Sequence, residues 1–292
     1  MNILLAGGAG YIGSHTSVVR EESGHEVVLF DNFCNSKKSV LDLLEKILGK
    51  ALPCVEGEIR DTTLVAKKLK EYKIDGVIHS AGLKSVSESV EKPIEYYANN
   101  AQGTISILEA MKSTNIKTLI FSSRATVYSD PQYLSINEQH PANPINPYGK
   151  SKLQAEEILR DLVTSDPGWR ITSLSYFNPV GAHGSGLFGV DPNGTPNNLM
   201  SYVAKVASGE LPFLNFFGDD YEIKDGTGKR DHIHVMDIAS GYIASLESLK
   251  NQNALEIVNL GTGKSHSVLD LALAFEKVSD RIIKRVITQS RS

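Results

Sequence analysis

The chain predicts an α/β fold, a doubly wound and mostly parallel sheet with a smaller C-terminal lobe. Three features predict it. A glycine-rich run, Gly7-Gly8-Ala9-Gly10-Tyr11-Ile12-Gly13, joins an apolar strand to a helical pattern at the start of the chain. Apolar strands then alternate with helix-period segments, and beyond Asn178 the alternation gives way to loops rich in Gly, Pro and Asn.

Taken in order, Met1 to Ala6 reads as a buried parallel strand. Glycines at 7, 10 and 13 let the backbone approach a diphosphate closely. The helix opening at Tyr11 directs unpaired N–H groups and its positive dipole end at the anion. Val27 to Phe30 forms a second strand ending in Asp31, an acid roughly 20 residues after the glycines, where a ribose hydroxyl is gripped. This is a Rossmann-type arrangement. No basic residue directly follows Asp31, which would repel a 2′-phosphate, so NAD is expected over NADP. Strands are also expected at Pro53 to Glu56, Gly76 to His79 and Thr118 to Phe121, with helical patterns at Leu64 to Tyr72 and Ile94 to Met111. A strand from Ile171 to Tyr176 follows a helix beginning near Tyr148. Gly181 to Asn198 and Gly218 to Asp231 read as loops, with a helix near Met200 to Ser208. The expected division is a dinucleotide-binding domain over 1–178, whose sheet also receives later segments, and a substrate lobe over 179–292.

Composition narrows the function. With 292 residues, 22% charged and 41% hydrophobic, the chain is of the ordinary globular class, and a net charge of −4 gives no basic surface suited to nucleic acid. Two cysteines, Cys34 and Cys54, make a disulfide framework improbable and point to a reducing cytosol. The N-terminal apolar segment has no basic leader and runs straight into the glycine loop, so it reads as a core strand rather than a signal peptide. No stretch approaches the ~20 apolar residues that span a bilayer, so no membrane partner is expected. His79, His183 and His234 do not cluster at ligand spacing, and no metal is expected.

Tyr148 and Lys152 stand four residues apart, on one face of a helix that Pro147 helps to start. A neighbouring ammonium favours phenolate, so Tyr148 is expected to act as a general base on a sugar hydroxyl while hydride passes to the cofactor.

The chain resembles the UDP-glucose 4-epimerases of the extended short-chain dehydrogenase/reductase superfamily. The likeness runs through Gly7 to Thr16, Asp31 to Ser36, Ala81-Gly82-Leu83-Lys84, Tyr148 to Lys152, Tyr176 to His183, Pro196 to Met200, Asp225 to Gly228, Arg230-Asp231 and Ile233 to Asp237. The resemblance implies a tightly held NAD and a UDP-hexose oxidised at C4, turned over as the 4-keto sugar and reduced on its opposite face. It implies Tyr148 as base and Lys152 as its electrostatic partner and ribose ligand, both of them also contacting the cofactor. Cofactor contacts are implied at Gly7, Gly10, Tyr11, Ile12, Gly13, Asp31, Asn32, Asn35, Ser36, Glu58, Ile59, Ser80, Ala81, Lys84, Asn99 and Phe177. The substrate site is implied at Asn178, Asn197, Asn198, Leu199, Phe217, Arg230 and Arg291, with Arg230 on the diphosphate. A homodimer through a helical face is implied as well.

Some residues depart from the resemblance. The family carries a hydroxyl residue where this chain has Arg124, and a guanidinium has five donors, no acceptor and no proton to give. Arg124 either occupies the space meant for C4 of the sugar or swings out, leaving Ser123 or a water to relay the proton. The first placement impairs turnover. Glu58 replaces an aspartate, Ser80 a phenylalanine, Ser175 an arginine and His232 a tyrosine. The family continues past the position of Ser292, so the lobe is expected to be truncated. Two other readings compete: a catalytically inactive NAD or nucleotide-sugar binder on the same scaffold, and a sugar-nucleotide dehydratase. The latter wants an Asp-Glu pair where Ala125 and Val127 stand.

Overall fold

A computed structural model describes residues 1–129, 131–191, 198–218, 221, 223, 225–249 and 254–288. The first half alternates as its sequence predicts: β1 (Asn2–Ala6), α1 (Tyr11–Glu22), β2 (Glu26–Asp31), α2 (Ser39–Leu48), β3 (Cys54–Glu56), α3 (Thr62–Glu71) and β4 (Gly76–His79). Two short helices, α4 (Val86–Glu91) and α5 (Pro93–Tyr96), lead into a π-helical stretch over Tyr97–Gln102, then α6 (Gly103–Ser113) and β5 (Thr118–Arg124). The single helix expected over Ile94 to Met111 is therefore broken by a wide turn. That extra residue per turn is what π-bulges supply at functional positions.

Next come α7 (Pro147–Ser165), β6 (Arg170–Tyr176), β7 (Asn178–Val180), α8 (Leu199–Ala207), β8 (Leu214–Phe217), β9 (Lys229–His234) and α9 (Val235–Ser248). The chain continues through β10 (Leu255–Leu260), β11 (Ser265–Ser267), α10 (Val268–Ser279) and β12 (Arg285–Thr288). Lys229 to Asp231, expected in a loop, belong to β9, where they pair with β11 while His232 to His234 pair with β7.

Seven strands form one sheet in the order β10-β6-β5-β4-β1-β2-β3, and every pairing in it is parallel. The chain winds outward from β1 to β3, then returns beside β1 with β4 and winds the other way. The reversal between β1 and β4 opens a crevice at the carboxyl ends of the strands, where such sheets bind ligands. Both faces are covered. Leu4, Phe30, Val77, Leu119 and Ile171 pack under α3, α6 and α7, and Ile3, Leu5, Leu29, Ile78 and Leu174 pack with Val18 of α1 and Ile238 and Tyr242 of α9.

The later chain divides. α9 and β10 return to the large sheet, whereas α8, β8, α10 and the segment before β12 build a small separate core from Val203, Val206, Leu214, Phe216, Ala272 and Ile283.

Candidate active site

Gly7 has φ +80°, and a Cβ there would lie 2.6 Å from the Ala81 backbone nitrogen. A Cβ on Gly13 would lie 2.2 Å from the Gly7 carbonyl oxygen. Glycine is thus required where β1, the start of α1 and the end of β4 meet. α1 begins after Gly10 with no side-chain cap, so its first-turn N–H groups face the loop as an anion site.

At the tip of β2, the Asp31 carboxylate accepts from Ala9 N–H (3.0 Å), Phe33 N–H (2.8 Å) and the Ser36 hydroxyl (3.1 Å). The acid is thereby fixed beside the glycine loop. Asn32 and Asn35 lie exposed after it, and the Asn32 amide donates to Glu58 (3.2 Å). Burial raises the Glu58 carboxyl, but Arg60, hydrogen-bonded to it, outweighs that and holds it below the usual range. Buried Ile59 packs where Gly103 leaves room for its Cδ1. Ser80, standing where the resemblance has phenylalanine, turns back and donates to the Ala6 carbonyl (2.9 Å). The residues present therefore fit a dinucleotide: a Cβ-free cradle, an uncapped helix start and a fixed acid at the second strand tip.

The loop after β4 carries this cradle to α7. A Cβ on Gly82 would lie 3.4 Å from Lys152 Nζ. Buried Asn100, on the π-helical stretch, accepts from Leu83 N–H (2.9 Å) and donates to the Leu83 carbonyl (3.0 Å) and the Ser151 hydroxyl (2.9 Å). Its neighbour Asn99 is half-buried. Sequence reading missed Asn100, although two asparagines inside an apolar helical pattern are a signal, since Asn is unfavourable mid-helix unless its amide is used.

Asn146 caps α7 by accepting from Gly149 N–H (2.9 Å), and Pro147 opens the helix. Tyr148 and Lys152 are both buried, at 2% and 5% exposure. Lys152 donates to the Ser122 carbonyl (2.8 Å) at the end of β5. Burial, then the charge of Arg124, lowers its ammonium to about 8, opposed by Glu156. Burial pushes the Tyr148 phenol well above its usual range, and Arg124 opposes this by charge and hydrogen bonding. Arg124 thus acts on the phenol as a cation to which the Tyr148–Lys152 spacing did not point.

Arg124 turns inward. Its guanidinium lies 5.3 Å over the Tyr176 ring, next to Tyr148. Ser123, the alternative relay, has a fully buried hydroxyl with no partner. Lys84, after the same β4 loop, is lowered by burial and then by Arg124. Behind Arg124, the Tyr242 hydroxyl donates to Ser122 Oγ (2.6 Å), which donates to the Tyr176 hydroxyl (3.2 Å). Nothing in the sequence pattern flagged Tyr242, whose helix is remote in the chain.

The remaining expected residues within the described range lie in the segments from Phe177 to β9. Phe177 packs beside Gly261, and Asn178 donates to the Asp231 carbonyl (3.0 Å). Asn198 caps α8 and donates to the Pro179 carbonyl (2.9 Å), placing Leu199 at the helix start. Phe217 ends β8, 37% exposed. Arg230 is exposed on β9 and donates to the Lys229 carbonyl (2.7 Å), while Asp231 accepts from Thr262 and Gly263. Asn197 and Arg291 lie outside the described residues. Among the described residues no cluster of three His, Cys, Asp or Glu side chains could hold a metal ion. No helix among them is long and apolar enough to cross a membrane.

A glycine cradle at the sheet's switch point, with a buried tyrosine and lysine one helical turn apart beside it, defines a dinucleotide-dependent enzyme of the short-chain dehydrogenase type. The chain belongs to the NAD-dependent epimerase/dehydratase family, whose model matches residues 3–261. It is 50% identical over 281 residues to a UDP-glucose 4-epimerase of Pasteurella multocida, covering 96% of this chain and 83% of that one. The structure matches a UDP-glucose 4-epimerase of Bifidobacterium longum solved with NAD+ and UDP, at TM-score 0.96 and 48% identity, covering 100% of this chain and 87% of that one. It also matches one from Stenotrophomonas maltophila with bound NAD and formylated UDP-arabinopyranose, at TM-score 0.98, 45% identity and the same coverage.

Proposed function

We propose that the chain interconverts UDP-glucose and UDP-galactose by oxidising C4 of the hexose, letting the 4-keto sugar turn, and reducing it on the opposite face. Bound NAD supplies the hydride acceptor and donor. The reading rests on one continuous contact path: Gly7 against Ala81, Gly82 against Lys152, and Lys152 one helical turn from Tyr148. That path supports Tyr148 as a base at the mouth of the dinucleotide cradle.

In this reading the Gly7 to Gly13 backbone and the α1 N-terminus hold the cofactor diphosphate, and Asp31 holds a ribose hydroxyl. Tyr148 takes the C4 hydroxyl proton and returns it. Lys152 keeps positive charge beside the phenolate and binds ribose. Asn178, Asn198, Leu199 and Phe217 line the uridine and hexose, and Arg230 holds the substrate diphosphate, which a guanidinium fork suits. Arg124 fills space beside Tyr148 and offers no acceptor for a relayed proton, so turnover of a neutral hexose is slow.

A cytosolic location is inferred from the low cysteine count, two in the chain. A homodimer is inferred from an apolar groove on α6 and α7 lined by Ile105, Leu108, Ile158 and Leu162. The test is to purify the protein, assay NAD released on denaturation, and incubate the holoprotein with UDP-galactose. Bound NAD with formation of UDP-glucose is the expected result. Absence of dinucleotide, or no conversion by wild type and Arg124→Ser alike, overturns the reading.

A further inference from the structure

Tyr148, Lys152 and Glu156 follow one another one helical turn apart along α7, so all three stand on the same face of the helix. All three are buried, Glu156 at 3% exposure. A carboxylate so enclosed is costly unless hydrogen bonds hold it and a nearby cation uses its charge. Glu156 accepts from the hydroxyls of Ser173 (3.1 Å) and Ser175 (3.5 Å) on β6. These donors are neutral, so they fix the carboxylate without cancelling its charge. The other titratable group facing it is Tyr128, whose phenol donates to Asn259 (2.8 Å) and is pushed up to about 12, by burial first and by Glu156 in part.

The groups that face Lys152 come from three elements. Tyr148 and Glu156 share α7 with it, Arg124 reaches in from the end of β5, and buried His79 stands on β4. Glu156 is the acid among them. A guanidinium does not give up its proton, so where two buried cations repel one another the ammonium is the one that yields. The Ser122 carbonyl (2.8 Å) and the Phe121 ring, 5.0 Å from Nζ, fix the place of the Lys152 ammonium but bring no full opposing charge.

We propose that Glu156 is a positioning residue for the reaction: its buried carboxylate, pinned to β6 one turn from Lys152, keeps that lysine charged against Arg124 and thereby keeps Tyr148 usable as a base. The inference rests on the reading of Tyr148 as the base. A neutral amine lends nothing to a phenolate, and a phenol buried as Tyr148 is then holds its proton. Burial and Arg124 already lower the Lys152 ammonium to about 8, so the opposing pull of Glu156 decides whether it is charged near neutral pH.

Glu156→Gln tests this, because the amide keeps the size and the accepting oxygen but loses the charge; thermal melts check folding. Two readouts are taken: the Lys152 titration, followed by NMR of lysine Cε carbons and assigned by the signal lost in Lys152→Met, and the pH profile of kcat/KM for UDP-galactose, in the wild type and in the faster Arg124→Ser background. The Lys152 midpoint and the falling limb, which follows loss of its proton, are expected to move toward acid by about one pH unit. Glu156→Asp, which keeps the charge, recovers at least part of that shift. A midpoint and limb that stay put in Glu156→Gln, or that move equally in Glu156→Asp, overturn the role of Glu156 and leave the epimerase reading standing. A midpoint that moves as expected in a protein that converts no UDP-galactose in either background overturns the epimerase reading and leaves the coupling of Glu156 to Lys152.

Discussion

Arg124 and Tyr176 are register partners on β5 and β6, and the guanidinium of one lies 5.3 Å over the ring of the other. A cation held over an aromatic face gains roughly 0.5–2 kcal/mol, so the inward placement of Arg124 is stabilised by the strand pairing itself. Tyr176 is fixed in turn through Ser122 to Tyr242.

Because Arg124 stands beside Tyr148 and cannot relay a proton, Arg124→Ser is expected to raise the rate of UDP-galactose conversion. The gain expected from restoring a positioned relay is ~10²–10⁴. Steady-state kinetics on wild type and variant, with NAD content matched, check this; equal rates would show that the guanidinium does not obstruct the reaction.

The same substitution carries a pH signature. Burial holds the Tyr148 phenol above its usual range and Arg124 pulls it down. Removing the cation raises that pKa further, so the rising limb of kcat/KM, which follows loss of the phenol proton, should move to more alkaline pH. Profiles of wild type and Arg124→Ser measured in the same buffers decide it, and a limb that stays put or moves toward acid contradicts the assigned coupling.

Asn100 joins the β4 loop to α7 through three hydrogen bonds. Asn100→Ala leaves buried partners unsatisfied, at about 1–3 kcal/mol for each orphaned group. The expected result is a lower melting temperature together with weaker NAD retention, since both Lys84 and Lys152 lose their tether. Unchanged NAD occupancy would confine Asn100 to a role in stability.

Gly13→Ala drives a methyl to 2.2 Å from the Gly7 carbonyl oxygen. Overpacking of this kind costs about 1–3 kcal/mol or more, and here backbone meets backbone, so the loop itself must shift. Loss of bound NAD out of proportion to the drop in melting temperature is expected from dinucleotide content and thermal melts of the same preparation.

The sequence made the parallel sheet legible because its strands are buried on both faces. Such strands read as continuous apolar runs, as in Ile3 to Leu5 and Val27 to Phe30. Gly7, Gly13 and Asp31 were legible because each answers a local requirement, for a close approach or for an acid at a strand tip. Tyr148 and Lys152 were legible as a spacing. What spacing does not carry is burial and long-range contact. Lys152 donates to the Ser122 carbonyl, Arg124 adds a second cation that acts on the phenol, and Tyr242 and Asn100 support the site from helices whose partners lie elsewhere in the chain. The return of α9 and β10 to the large sheet likewise depends on pairing with β6, which local pattern does not encode.

The measurement closest to the central claim is the conversion of UDP-galactose by Tyr148→Phe made in the Arg124→Ser background, with NAD occupancy assayed alongside. A phenol acting as the base at the dinucleotide cradle predicts full occupancy and a rate lower by ~10²–10⁴ than Arg124→Ser alone. A double variant that holds NAD and turns over as fast as Arg124→Ser would contradict it.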